Sequence, residues 1–92
     1  QVRELSFDQA ERRIARTLLN LAAQYGRPCP EGVRISIRFT HQDVAGIINT
    51  NRITTNKVMK RMEEEGILLK REGRYILRAL PALERLARGE GQ

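Results

Sequence analysis

With 92 residues the chain has room for one small domain and not for a second. Apolar residues at 40% and charged ones at 30% exclude disorder as a default, and no apolar run nears the roughly 20 residues that span a bilayer, so a folded, cytoplasmic domain is expected. Its 17 Lys and Arg against 11 Asp and Glu leave a net charge of +6, which suits a polyanionic partner and equally suits plain solubility; Cys29, alone, excludes an internal disulfide and a cysteine-built zinc cluster.

The opening QVRELSF lacks a methionine and is read as part of a longer polypeptide, residues 1–7 being the end of a preceding helix or linker. From Asp8 to Tyr25 the apolar residues Ala10, Ile14, Leu18, Leu21 and Tyr25, widened by Ala15, Leu19 and Ala22, follow the 3.6-residue period of an amphipathic helix capped by Ser6. Arg12, Arg13 and Arg16 fall on its polar side, where a solvated face is expected. Gly26 is placed as the left-handed residue ending this helix, and Arg27 to Gly32 (RPCPEG) as a loop. Val33, Ile35, Ile37 and Phe39 then alternate with polar residues, the mark of a half-buried strand.

Thr40 opens a second helix as N-cap, with Asp43 in the capping-box position and Val44, Ile47 and Ile48 as its buried side. Asn49, which adopts positive φ more cheaply than most residues, serves as the turn, and Asn51 caps a third helix over 52–65. Two short helices joined by about three residues form a helix-turn-helix. On the third helix Thr55, Val58, Met59 and Met62 cluster within about 100° as the inward stripe. Ile53, Lys57, Lys60 and Glu64 lie opposite, with Asn56 and Arg61 on the shoulders, and no acid precedes Glu63. A polar outer face is ordinary for any amphipathic helix. Together with the turn, the caps and a basic hairpin after it, this one suits the major groove of DNA, where the N-terminal residues of a helix meet base edges.

In that reading Asn56 pairs with adenine, Lys57 donates to guanine O6 and N7, and Ile53 meets a thymine methyl or nothing. Arg52 and Thr54, with Thr40, His41 and Gln42 at the start of the second helix, are placed for phosphate, and the candidate DNA-binding set is completed by Asn51, Lys60 and Arg61. A hairpin turning at Arg71-Glu72-Gly73-Arg74 reads as a wing, its cations Lys70, Arg71 and Arg74 either reaching phosphate or simply solvated. Pro81 starts a last short helix with Leu83, Leu86 and Ala87 packed back, before a disordered tail at 89–92. The fold expected is mainly α with a small antiparallel sheet, a winged helix-turn-helix.

Thr40, Gln42, Asp43, Ile47, Arg52, Thr54, Val58, Glu65, Gly66 and Ile67 carry a resemblance to the helix-turn-helix of the cyclic-AMP receptor protein and FNR family of bacterial transcription regulators. The resemblance implies sequence-specific binding of double-stranded DNA at a near-palindromic operator, a homodimer in the full-length protein and RNA polymerase as a further partner. It also implies a sensing domain elsewhere in the polypeptide to hold any effector, so no cofactor is expected in these residues. The sequence departs from the family where its usual glutamate falls on Ile53, its second arginine on Lys57 and its turn glycine on Asn49. A winged helix serving protein–protein interaction is the alternative. An enzyme is excluded for want of a nucleophile and base, metal spacing or a phosphate loop.

Overall fold

Residues 4–90 are described in the structure, a computed structural model. They form α1 (Phe7–Tyr25), β1 (Gly26–Cys29), β2 (Gly32–Ile35), α2 (His41–Ile48), α3 (Arg52–Glu64), β3 (Leu68–Arg71), β4 (Arg74–Leu77) and α4 (Leu80–Ala87). The helices surround one core, and the strands make an antiparallel sheet in the order β1-β2-β4-β3 at one edge of it. This is the winged helix-turn-helix expected from the sequence. Residues 1–3 of the expected helix end or linker over 1–7 lie outside the described residues, as do residues 91 and 92 of the tail.

Local capping explains where α1 begins. The Ser6 hydroxyl accepts from the Gln9 N–H while the Gln9 side chain accepts from the Ser6 N–H, a closed capping box that starts the helix at Phe7, one residue before the expected Asp8. Ala10, Ile14, Ala15 and Leu18 are buried as the period requires, but Tyr25 at the helix end is 38% exposed and Glu11 is buried among them. Burial raises the Glu11 carboxyl above its usual range, and the nearby Arg61 guanidinium offsets part of that. Arg16 is not merely solvated, since its Nε donates to the Ala87 carbonyl at 2.9 Å and so satisfies an open carbonyl at the end of α4.

The sheet differs from expectation in two places. Gly26 is not left-handed: with φ −75° and ψ 146° it is extended, and the chain runs straight from α1 into β1. Residues 26–29 are therefore a strand and not a loop, paired with β2 in the register Gly26↔Ile35 to Cys29↔Gly32. An edge strand tolerates Pro28, whose missing N–H removes at most one ladder bond. The strand expected over 33–39 ends at Ile35, where Ser36 and Ile37 form a bend. The Ser36 carbonyl instead accepts from Arg74 Nε at 2.7 Å, which leaves Ile37 36% exposed while Phe39 re-enters the core.

Ile47 was expected on the buried side of α2 and is 60% exposed. Val44, Ile48 and Ala45 occupy a contiguous arc of about 100°, and Ile47 falls some 60° outside its edge. The wing turn is as expected, with Glu72 at φ 54° and Gly73 at φ 80°, the two positive angles a two-residue hairpin loop of this hand needs. Pro81 sits in the first turn of α4, and Leu83 and Leu86 are buried by it. Gly89 and Glu90 are part of a helix-ending turn, their N–H groups donating to Leu86 and Arg85 carbonyls at 3.0 and 2.8 Å.

The largest buried side chains, among them Ile14, Leu18, Val58, Met59, Met62, Tyr75, Leu77 and Leu83, come from α1, α3, the wing and α4. Each contributes roughly 1.5–3 kcal/mol through burial for an aliphatic group of this size. Two glycines separate packing from propensity. A Cβ on Gly32, at φ 150°, would lie 2.1 Å from the Leu77 carbonyl oxygen across the β2–β4 pairing, whereas one on Gly46 would meet nothing within 4 Å. Gly32→Ala is expected to cost on the order of 3 kcal/mol, and Gly46→Ala to gain about 0.5–1 kcal/mol in mid-helix. Urea unfolding of both variants measures the two signs.

Candidate nucleic-acid interface

The corner between α2 and α3 is built from Asn49, Thr50 and Asn51 alone. Asn49 takes the left-handed conformation (φ 59°, ψ 50°), and its N–H reaches back to the Ala45 and Gly46 carbonyls. Asn51 then starts α3, its Oδ1 accepting from the Thr54 N–H at 2.8 Å and its carbonyl from the Thr55 hydroxyl at 3.1 Å. Thr55 is fully buried, so that hydroxyl bond also removes a polar group from the core's accounts. At the other end of α2, Thr40 and Asp43 close a capping box with bonds of 3.1 and 2.8 Å.

With Thr55, Val58, Met59 and Met62 buried, the opposite face of α3 is forced outward. Ile53, Lys57 and Lys60 are exposed there, Ile53 at 65%, and Arg52 is exposed at the start of the helix; among the described residues the three cations have no hydrogen bond or ion pair to the protein. Gln42 on α2 is exposed as well. Three other candidates are committed locally: Asn51 to the α3 cap, Thr40 to the α2 cap, and Thr54 by its N–H to Asn51. Arg61 is turned toward α1, its Nε 3.1 Å from Glu65 Oε2 and its guanidinium 5.3 Å from the Phe7 ring centre. The hydrogen bond to Glu65 raises the Arg61 pKa above its ordinary value, so Arg61 stays a cation whose charge the Glu65 carboxylate partly offsets.

Asn56 is exposed but not free. Its Oδ1 lies 2.8 Å from His41 Nδ1, and the other ring nitrogen of His41 is 3.7 Å from Glu63 Oε2. The His41 ring stacks on Tyr75 of β4 with centroids 6.4 Å apart, and Tyr75 stacks on Phe39 at 5.0 Å. This column ties the start of α2, the face of α3 and the wing together.

The wing cations are engaged too. Arg71 pairs with Glu31 in the β1–β2 turn, which holds the Glu31 carboxyl below its usual range; Lys70 Nζ lies 5.3 Å from the Tyr75 ring centre. Arg38 is a residue the sequence reading missed. It is exposed, and its guanidinium lies over the wing turn, within 3.1 Å of where a Cβ on Gly73 would stand. Only the bend at Ser36, invisible to a period-two pattern, carries it there.

The description "Crp-like helix-turn-helix domain" matches residues 12–86, which take in both helices of the corner, the wing and most of α1 and α4. The chain belongs to this family. The Crp-like domain is 35% identical over 69 residues to the cAMP-activated global transcriptional regulator CRP of Salmonella typhimurium, covering 74% of this chain and 32% of that protein. It is 30% identical over 56 residues to the global nitrogen regulator of Synechocystis sp., covering 61% of this chain and 25% of that one. The chain thus spans a third or less of the length of these relatives.

Among solved structures, the Thermus thermophilus catabolite activator protein superposes with a TM-score of 0.74 at 28% identity, over 92% of this chain and 37% of that one. The CO-dependent transcription factor CooA from Carboxydothermus hydrogenoformans shares the fold, with a TM-score of 0.80 at 23% identity over 88% of this chain and 38% of that one. The relatives named above are regulators, CRP a transcriptional one. No helix among the described residues is long and apolar enough to cross a membrane.

Within the Crp-like domain the most displaced titration is that of Tyr75, whose phenol is pushed up to about 12 by burial and by the adjacent Glu63 carboxylate. A raised folded-state value means stability that is complete below the ordinary tyrosine value near 10 and lost as pH rises through 12. Stability is therefore expected to fall by on the order of 2 kcal/mol across that window, and Tyr75→Phe to remove this part of the slope. Urea unfolding of the two proteins at mildly and strongly alkaline pH makes the comparison.

Proposed function

We propose that the Crp-like domain binds double-stranded DNA sequence-specifically, laying α3 in the major groove, as one half of a homodimeric transcription regulator. The observation that carries this is the exposed side of α3: Lys57 and Lys60 on its outer face and Arg52 at its start have no partner among the described residues, while both acids on the helix, Glu63 and Glu64, lie at its far end. Arg52 beside the corner and Gln42 at the start of α2 serve phosphates; Ile53 and Lys57 face base edges. In a dimer the second domain lies about 34 Å away on the next major groove, so the operator is near-palindromic, and RNA polymerase is the partner that turns occupancy into regulation.

Exposure of Ile47 and Ile53, at 60% and 65%, favours a second reading as a protein-interaction surface. Salt separates the two. Titration of labelled genomic fragments in a gel-shift assay is expected to show affinity falling steeply as salt rises, by about 0.9 log unit per log unit of salt for each phosphate engaged. Binding indifferent to salt would point to the protein surface instead.

Ile53 offers no hydrogen bond where the family's usual glutamate stands. Ile53→Glu is expected to move the selected base at one position of each half-site toward a cytosine on the contacted strand, by about tenfold in relative preference. Selection from randomised duplexes reads this directly, and an unchanged site would show that Ile53 faces no base.

A further inference from the structure

We infer that Glu64 is a specificity determinant whose carboxylate repels the phosphates of random DNA and so widens the gap in affinity between the operator and any other duplex. The inference rests on the DNA-reading role of α3 proposed above. At 100° per residue, Glu64 lies within about 40° of Ile53, Lys57 and Lys60, so it shares the face that those residues turn outward. It is exposed there, at the last position of the helix.

Three acids follow one another at this end of α3, and their surroundings differ. Glu63 lies against the Tyr75 phenol, and Glu65 accepts from Arg61 Nε at 3.1 Å. Glu64 has no hydrogen bond or ion pair among the described residues. Lys60 precedes it by four positions on the same line, yet the two form no ion pair, and a lysine N-terminal to the acid is the weaker order for such a pair. The helix does not favour it either, because the C-terminal end carries partial negative charge and an acid in the last turn is disfavoured. Nothing in the free domain compensates this carboxylate.

On DNA its position acquires a use. Glu64 stands two turns beyond Lys57, about 10 Å along the helix axis, and the major groove is about 12 Å wide. With Ile53 and Lys57 at base edges, α3 therefore reaches the phosphate border of the groove near Glu64. A like charge at that border opposes the attraction that Lys57 and Lys60 supply. Where the right bases are present, contacts to them set the position of the helix and hold the carboxylate at a fixed distance from the phosphates. On a random duplex phosphate attraction alone positions α3, and drawing the lysines closer draws Glu64 in with them. The repulsion is felt most where base contacts are missing, which lowers affinity for random DNA more than affinity for the operator.

Fluorescence anisotropy tests this, with the intact chain and its variants titrated against two duplexes over a range of salt. One duplex carries the site recovered by in vitro selection and the other the same bases scrambled. Glu64→Gln is expected to bind the scrambled duplex about fivefold more tightly at low salt, the size of one charge contact in water, and the selected duplex less than about twofold more tightly. The ratio of the two affinities therefore falls. Glu64→Lys is expected to lower it further, and the gain on scrambled DNA to fade as salt rises. Glu84→Gln, which removes the same charge from an exposed position on α4, is expected to leave the ratio unchanged. Equal changes on both duplexes, as a purely structural role of Glu64 would give, or the same fall in Glu84→Gln, overturn the Glu64 inference alone. Selection that recovers no site overturns the DNA-reading role and this inference with it.

Discussion

The exposed face of α3 depends on one backbone conformation, the left-handed turn at Asn49. Between α2 and α3 the chain has only Asn49, Thr50 and Asn51 with which to stop one helix, change direction and cap the next. An ordinary residue at φ 59° is held at a cost of about 1 kcal/mol or more, which asparagine reduces through its short polar side chain. Because the corner is this tight, the rotation of α3 about its axis follows from the packing of Thr55, Val58, Met59 and Met62, and their burial decides which residues face out. The cationic face is thus a consequence of the core and the corner together.

Ion pairs engage only some of the cations. Glu31 holds Arg71, Glu65 holds Arg61 and Glu90 holds Arg88, so several of the cations that make the chain basic are locally neutralised. Such exposed pairs add little stability, the usual figure being about 0–1 kcal/mol. Their effect is spatial. They engage Arg61 toward the end of α3, Arg71 of the wing and Arg88 near the end of α4; among the described residues Arg52, Lys57 and Lys60 on α3, Arg38 over the wing, and Arg12 and Arg13 on α1 have no ion pair.

The parts of this fold legible in the sequence are those fixed within a few residues: the Ser6 and Thr40 capping boxes, Asn49, Asn51 and the inward stripe of α3. Each depends on chemistry between positions three or four apart, and a single sequence displays that fully. The misread parts depend on distant partners. β1 carries Pro28 and is followed at once by Pro30, a loop signal on either side of Cys29, and it is a strand only because β2 pairs with it. Ile37 fits its period and is exposed because the strand bends, and Ile47 is exposed because it falls about 60° outside the buried arc of α2. For the site, exposure of Ile53, Lys57 and Lys60 was readable from the wheel. The hold of His41 on Asn56, across 15 positions, and of Glu31 on Arg71, across 40, was not.

The bond from Arg16 to the Ala87 carbonyl joins positions 71 apart and lies where α4 packs along α1. Loop-closure entropy opposes such a contact until most of the chain is in place. Leu83 and Leu86 are also core residues, so a chain still being synthesised has its corner and wing before it can close its core. The corner between α2 and α3 can therefore form early from local capping, before α4 docks to complete the core.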